Sequence, residues 1–489
     1  MTAPACPSSH ARIDDVDRGL RRWEPCHNRA QLMYVPAQPW SPDSWRERFN
    51  AAPLPYDDPD AVQVAVEKLR ALPPLVTSWE VERLKGYLAE AQLGRRFVLQ
   101  GGDCAETLDD CRPNIVTNKL KILLQMSLVL VHGARRPVVR LGRFAGQYAK
   151  PRSSPVETRD GVSLPSYFGD LINRAPFDAT ARRPDPNLMI AGYQHAAITL
   201  NFIRSLSEGG FADLHHPEYW DLSFLERADL PGELRERYQR MTEQVGEALR
   251  FMEALAEVPV GELSRVEFFT SHEGLNLHYE SAQTRKVARR PGFYDLTTHL
   301  PWIGERTRQP DGAHVEFFSG VENPLGIKLG PKTLRDDVIR LLDRLNPADE
   351  PGKIVLIVRM GAGRVRDGLP PLIEAVRSAG RKVLWMSDPM HGNTLTTSSG
   401  IKTRNFEDIL TEIEANFEVH ESMGSNLGGV HFELTGDDVT ECVGAGLTES
   451  DLDQRYASLC DPRLNYRQSL EMAFRIAHRM AESSRRARG

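Results

Sequence analysis

Eight short, β-rich segments recur along the chain after residue 95, and they constrain its fold more than any other feature. They are Phe97–Gly101, Val138–Leu141, Val266–Thr270, Leu296–Ile303, Leu325–Leu329, Ile354–Val358, Val383–Met386 and Val430–Leu434. Most are continuous apolar runs, the pattern of strands buried on both faces. Helical patterns such as Thr333–Leu345, Pro371–Ala379 and Phe406–Phe417 separate most of them. Strand–helix alternation requires parallel strands joined by crossovers. Eight such strands predict an α/β fold, a closed (β/α)8 TIM barrel; a doubly wound open sheet is the alternative.

Residues 1–94 hold many prolines and two helical patterns, near Ser41–Phe49 and Asp60–Gln92. They read as an N-terminal helical extension packed on a barrel of residues 95–489. The gap between strands 2 and 3 is too long for one crossover. It carries helical patterns at Asn187–Ser207 and Leu230–Glu257, so helices inserted over about residues 187–257 are expected on the barrel's outside. The basic tail Arg479–Gly489 is expected to fray.

Composition narrows the functional classes. Of 489 residues, 40% are hydrophobic and 26% charged, as in soluble globular proteins. A net charge of −6 gives no general attraction to nucleic acid or to an anionic membrane. An anionic substrate would need a locally basic pocket. The stretch Met1–Pro25 lacks the apolar stretch of a secretory signal. The longest apolar run, Ile122–Val131, is too short to span a bilayer and contains Gln125 and Ser127. Six sparse cysteines without a C-x-x-C pair argue against a disulfide framework, so a cytoplasmic location is expected.

In a (β/α)8 barrel the active site lies at the strands' carboxyl ends. Here nearly every predicted strand leads into charged or ligand-type residues. Strand 1 precedes Asp103-Cys104; strand 2 precedes Arg143, then Lys150, Arg152 and Ser153; strand 3 ends in Ser271-His272-Glu273. Strand 4 leads to Glu305-Arg306, strand 5 carries Lys328, strand 6 ends at Arg359, strand 7 leads to Asp388 and His391, and strand 8 carries His431 and Glu433. One such residue is an ordinary surface charge; eight strands' worth at one end of one barrel is a site.

Two chemistries separate. Arg143, Lys150, Arg152, Arg306, Lys328 and Arg359 form a cationic set suited to phosphate and carboxylate oxygens. Such convergence is repulsive without anions, which points to substrates carrying phosphates and a carboxylate. Cys104, His391, Glu433 and Asp461 mix soft and hard donors of the kind that bind Mn, Fe, Co or Zn. Spacing alone leaves that metal site open: Cys104 also reads as a small buried hydrophobe, and Asp461 before Pro462 as a turn residue. Three other motifs fail. His272-Glu273 with His278 is not H-E-x-x-H, Gly361–Arg366 lacks a third fingerprint glycine, and Gly330–Thr333 lacks the first glycine of a P-loop. No organic cofactor is expected.

Longer motifs resemble those of type II 3-deoxy-D-arabino-heptulosonate 7-phosphate (DAHP) synthases. They include LQGGDCAET (99–107), GQYAKPRSSP (146–155), TSHEGLNLHYE (270–280), WIGERTRQPDGAHVEF (302–317), DPMHGNT (388–394), GIKTRNF (400–406), GGVHFELTGDDVTECVG (428–444) and CDPRLNYRQSLEMAF (460–474). The resemblance covers the chain from about residue 95 onward. It implies condensation of phosphoenolpyruvate with erythrose 4-phosphate and water, giving DAHP and phosphate at the head of the shikimate pathway. It implies a divalent metal on Cys104, His391, Glu433 and Asp461, with Mn2+ or Co2+ ahead of Fe2+ or Zn2+. Phosphoenolpyruvate would be held by Arg143, Lys150, Glu305, Arg306, Lys328 and Arg359, and the aldose phosphate by Arg152 and Ser153. Lys150, Arg152 and Ser153 would be catalytic.

The chain departs from the family at Phe168, Arg174, Ala362-Gly363-Arg364 and Ser387. These positions bear on the aldose acceptor and the pathway. A secondary-metabolism paralogue of phenazine or aminoshikimate type, with altered acceptor or feedback, is the alternative. A non-catalytic scaffold is another. Cys460, beside Asp461, is expected near Cys104, where oxidation would pair the thiols and expel the metal; a spectator thiol is the bland alternative. The extension and the inserted helices resemble regulatory elements that bind aromatic amino acids, support a homo-oligomer (dimer or tetramer) or dock a chorismate mutase. Structural padding is equally consistent with the sequence.

Overall fold

The computed structural model describes residues 39–208 and 266–486, with isolated positions between 232 and 247. Eight parallel strands close into a barrel in chain order: β1 (Phe97–Gly102), β2 (Val138–Arg143), β3 (Phe269–Glu273), β4 (Leu300–Ile303), β5 (Leu325–Leu329), β6 (Ile354–Val358), β7 (Leu384–Ser387) and β8 (Leu427–Glu433). β8 returns to pair with β1, which decides for the closed barrel over the open sheet.

Strand existence follows the sequence; boundaries shift. β3 lies three residues further along than predicted, so Ser271, His272 and Glu273 belong to the strand itself. β4 keeps only the second half of its predicted range. The predicted Ser41–Phe49 helix reduces to one 3-10 turn, Ser44–Glu47. The Asp60–Gln92 pattern divides into Pro59–Arg70 and Ser78–Gln92. Pro73 and Pro74 lie between them, where a helix would lose amide donors. Thr77 and Glu80 then restart the helix with a reciprocal capping box.

Helix Ser78–Gln92 meets the barrel interior: Leu84, Leu88 and Ala91 share a buried cluster with Val98, Val355 and Leu384. Of the predicted insertion, helix Asn187–Glu208 packs outside the barrel beside Pro59–Arg70 and Pro113–Ala134. The predicted Leu230–Glu257 helix falls mostly outside the described residues.

The predicted apolar run Ile122–Val131 lies inside helix Pro113–Ala134, whose 22 residues could cross a membrane by length and composition. Yet 67% of its most apolar window is buried in the protein. It packs along the last helix, Tyr466–Arg486, so closely that a Cβ on Gly133 would lie 2.5 Å from Ala477 Cβ. Its apolarity is that of a core helix. Of the tail expected to fray from Arg479, the helix continues to Arg486, with Arg479 paired to Glu421 at 2.7 Å, and residues 487–489 lie outside the described residues.

Candidate active site at the carboxyl end of the barrel

Barrel register does the first positioning. Gly102 pairs with Arg143 on one side and Glu433 on the other. The exits of β1, β2 and β8 are therefore level, and Cys104 follows two residues beyond. Gly102 has φ +146°, and a Cβ there would lie 2.7 Å from the Arg143 carbonyl oxygen. Only glycine permits that approach.

Glu433 is fully buried at the centre. Its Oε1 accepts from Arg143 (3.0 Å) and Lys150 (3.0 Å) and lies 3.0 Å from His391 Nε2, while Oε2 accepts from Arg404 at 2.7 Å. Burial opposes its ionisation, yet His391, Lys150, Arg404 and Arg143 hold the carboxyl well below its usual pKa. Cys104 Sγ, a Glu433 oxygen and an Asp461 oxygen lie within 4.8 Å of one another. His391 joins this cluster through Glu433, and its Nδ1 lies 2.8 Å from Asp388 Oδ2, an arrangement that fixes the ring and turns Nε2 inward.

Three of the four predicted donors, Cys104, Glu433 and Asp461, thus gather in one place although hundreds of residues separate Cys104 from the other two, and the fourth, His391, reaches the group through Glu433. One thiol, one imidazole and two carboxylates fit a divalent transition metal. The Lys150 ammonium lies among them, 2.7 Å from Cys104 Sγ and 3.0 Å from Asp461 Oδ2. Burial would lower its pKa, but Asp461, Cys104 and Glu433 together hold it well above the usual value.

A cavity of about 590 Å³ opens above this cluster. All six predicted cations line it, with Lys402, Glu273, Glu305, His391 and Asp461. Trp302 forms part of the wall, 5.3 Å from the Arg143 guanidinium and 5.7 Å from Lys328 Nζ. The cations do not wait bare for substrate, as sequence reasoning supposed. Lys328 pairs with Asp388 and Arg359 with Glu305, while Glu433 neutralises Arg143 and Lys150. Arg152 and Arg306 differ: among the described residues neither pairs with a carboxylate. Arg306 donates to Ser153 Oγ (3.0 Å) and the Pro151 carbonyl (3.2 Å), and Arg152 approaches Cys460 Sγ at 3.7 Å. Arg306, which the family resemblance groups with the phosphoenolpyruvate set, therefore stands beside Ser153.

Several site residues escaped the sequence reading. Arg404 lies inside a quoted motif, yet nothing in its spacing marks it as the fully buried partner of Glu433. Asp388 was seen at a strand end but not as the group linking His391 and Lys328. Its carboxyl, which burial alone would raise, is held well below the usual value by His391 and Lys328. Glu273 keeps a buried Oε1 without a hydrogen-bond partner, and burial raises its pKa. A Cβ on Gly304 would lie 2.0 Å from that oxygen, and one on Gly330 would lie 1.9 Å from the Glu305 carboxylate. Both glycines make room for carboxylates of the cavity.

The positions that depart from the family stand back from the cavity. None of Phe168, Arg174, Ala362, Gly363, Arg364 or Ser387 lines it. Arg174 pairs instead with Asp170 at 3.1 Å. Cys460 packs against Cys104 and Tyr167. Burial, then the hydrogen bond with Cys460, pushes the Cys104 thiol well above its usual pKa; the same hydrogen bond lowers Cys460 to about 7. The four cysteines among the described residues are free thiols.

The sequence comparisons agree with this geometry. The profile of the class-II DAHP synthetase family matches residues 40–477. A phospho-2-dehydro-3-deoxyheptonate aldolase of Streptomyces coelicolor is 48% identical over 90% of this chain and 97% of its own length. One from Neurospora crassa is 46% identical over 90% and 94%, and the AroG enzyme of Mycolicibacterium smegmatis 44% over 92% and 98%. With near-complete coverage and a cavity that assembles the motif residues, the chain belongs to the class-II DAHP synthetase family.

Proposed function

We propose that this protein condenses phosphoenolpyruvate with erythrose 4-phosphate and water to give DAHP and phosphate. The observation that carries the reading is the single cavity in which a cationic wall adjoins a thiol–imidazole–carboxylate cluster. Cys104, His391, Glu433 and Asp461 hold a divalent cation, Mn2+ or Co2+ ahead of Fe2+ or Zn2+. Bound there, it supplies Lewis-acid polarisation of the aldehyde.

The chain's own residues do the rest. Arg143, Lys328 and Arg359, the last steadied by Glu305, bind the carboxylate and phosphate of phosphoenolpyruvate. Arg152, Ser153 and Arg306 bind the aldose phosphate, because among the described residues Arg152 and Arg306 have no carboxylate partner and so gain most from an incoming phosphate. The two groups face one cavity and bring carbon 3 of the enol to the aldehyde carbon. Lys150, kept cationic, donates a hydrogen bond to the aldehyde oxygen as negative charge develops. The ordinary acceptor is favoured over the secondary-metabolism reading because the departures from the family leave the cavity wall untouched. The proposal extends to a cytoplasmic enzyme acting at the head of the shikimate pathway.

The test is phosphate release and loss of enol absorbance with both substrates, before chelation, after it, and after adding back Mn2+, Co2+, Zn2+ or Fe2+. Activity that vanishes on chelation and returns with one of these ions supports the reading. Undiminished turnover in stripped protein refutes the metal's role, and no turnover under any condition refutes the function.

A further inference from the structure

Glu106 lies two residues beyond Cys104, buried, and outside the cavity. Its carboxylate nonetheless reaches the loop after β2. Oε1 accepts from the amide of Ala145 (3.1 Å), and Oε2 from those of Gly146 and Gln147 (3.0 Å each). Its own amide donates back to the Gln147 carbonyl at 2.8 Å. Three successive amides converging on one anion form a nest, a motif that requires left-handed backbone. Ala145 supplies it, with φ +58°, which an L residue adopts only when its surroundings impose it.

The neighbouring residues carry that geometry forward. A Cβ on Gly146 would lie 2.4 Å from His272 Nδ1. The Gln147 side chain accepts from the Glu273 amide and donates to the Ala149 carbonyl, each at 3.0 Å. The chain then reaches Lys150, whose amide donates to the Phe168 carbonyl at 2.9 Å, and next Arg152 and Ser153. On its other side Glu106 lies 3.4 Å from Lys119 Nζ, which also meets Asp103 at 2.6 Å. One carboxylate therefore ties the β1 exit, which bears Cys104, to the loop that bears Lys150, Arg152 and Ser153.

We propose that Glu106 is a positioning residue: by filling the amide nest at residues 145–147 it sets the placement of Arg152 and Ser153, and so the affinity for the aldose phosphate. This rests on the reading of Arg152 and Ser153 given above. Glu106→Gln keeps the shape but turns an amide donor against backbone N–H groups. Glu106→Asp keeps the charge but is one methylene short, and serves if the glutamine variant does not fold.

The assay compares these with wild type, Glu106→Gln/Ala145→Gly and Arg152→Met, all loaded with Mn2+. Either Glu106 variant is expected to raise the KM for erythrose 4-phosphate by roughly tenfold or more, since small misplacements of binding groups are costly. Inhibition by inorganic phosphate should weaken in parallel. Adding Ala145→Gly, which holds positive φ without help, should recover part of that loss. If kcat falls only with the folded fraction while KM stays put, and Arg152→Met does raise KM, the proposal is overturned. If Arg152→Met also leaves KM unchanged, the phosphate-site reading fails instead.

Discussion

Replacing Arg404 by methionine tests how the fold keeps Glu433 ionised. Arg404 is fully buried. Its Nη1 donates to Glu433 Oε2 (2.7 Å) and to the Pro462 carbonyl, and its Nε to Thr394 Oγ1 at 3.0 Å. Among the described residues nothing else donates to Oε2, whereas Oε1 retains Arg143 and Lys150. Breaking a buried ion pair costs about 3–5 kcal/mol when the remaining charge is left alone. Two cations stay on Glu433, so a loss of about 2–3 kcal/mol is expected in the metal-free protein. Losing a hydrogen-bond partner of a metal ligand weakens metal affinity by roughly 10–100-fold, or about 1.4–2.8 kcal/mol.

The pH dependence has a definite sign. A depressed carboxyl stabilises the fold fully above its unfolded value and loses that contribution as pH falls through the folded one. Glu433 lies well below the usual value in part because of Arg404. The variant should therefore lose stability and Mn2+ affinity at a higher pH than wild type. Free Mn2+ measured by electron paramagnetic resonance across pH, with denaturant unfolding of stripped protein, reads both effects. Affinity within about threefold of wild type, with unfolding unchanged, would refute the reasoning, because that spread is under 1 kcal/mol.

Two further outcomes are expected. Burial and the Arg143 charge, opposed by Asp388, lower Lys328 to about 8; kcat/KM for phosphoenolpyruvate should fall as pH rises through that value and the cation is lost, and Lys328→Arg should remove the inflection while a persisting one assigns it elsewhere. Cys460→Ser should keep activity but lose sensitivity to mild peroxide, which in wild type would oxidise the Cys104–Cys460 pair to a disulfide with release of water; unchanged oxidant sensitivity makes Cys460 a spectator.

Strand number and the polar residues at the strand ends were legible because each is a local property, whereas the pairing of β8 with β1 that closes the barrel was decided by the tertiary structure. β6 is an unbroken apolar run and β5 is apolar but for Lys328, so Lys328 lies on β5 and Arg359 directly after β6 whatever the neighbours do. Proline, capping and packing then altered what periodicity alone would give: they split the first long helix at Pro73–Pro74 and carried the last one on to Arg486. Residue types also announced a cationic site and a donor set, and the family motifs tied those residues to a reaction. Charge compensation was not legible. The pairings Arg404–Glu433, Lys328–Asp388 and Arg359–Glu305, and the grip of Glu106 on residues 145–147, join segments distant in sequence or in different loops. They arise only when parallel strands close into a ring and bring their exits to one level. A linear chain records which groups carry charge; which charges touch, and which remain free to hold a phosphate, depends on distances that exist only once the barrel has closed.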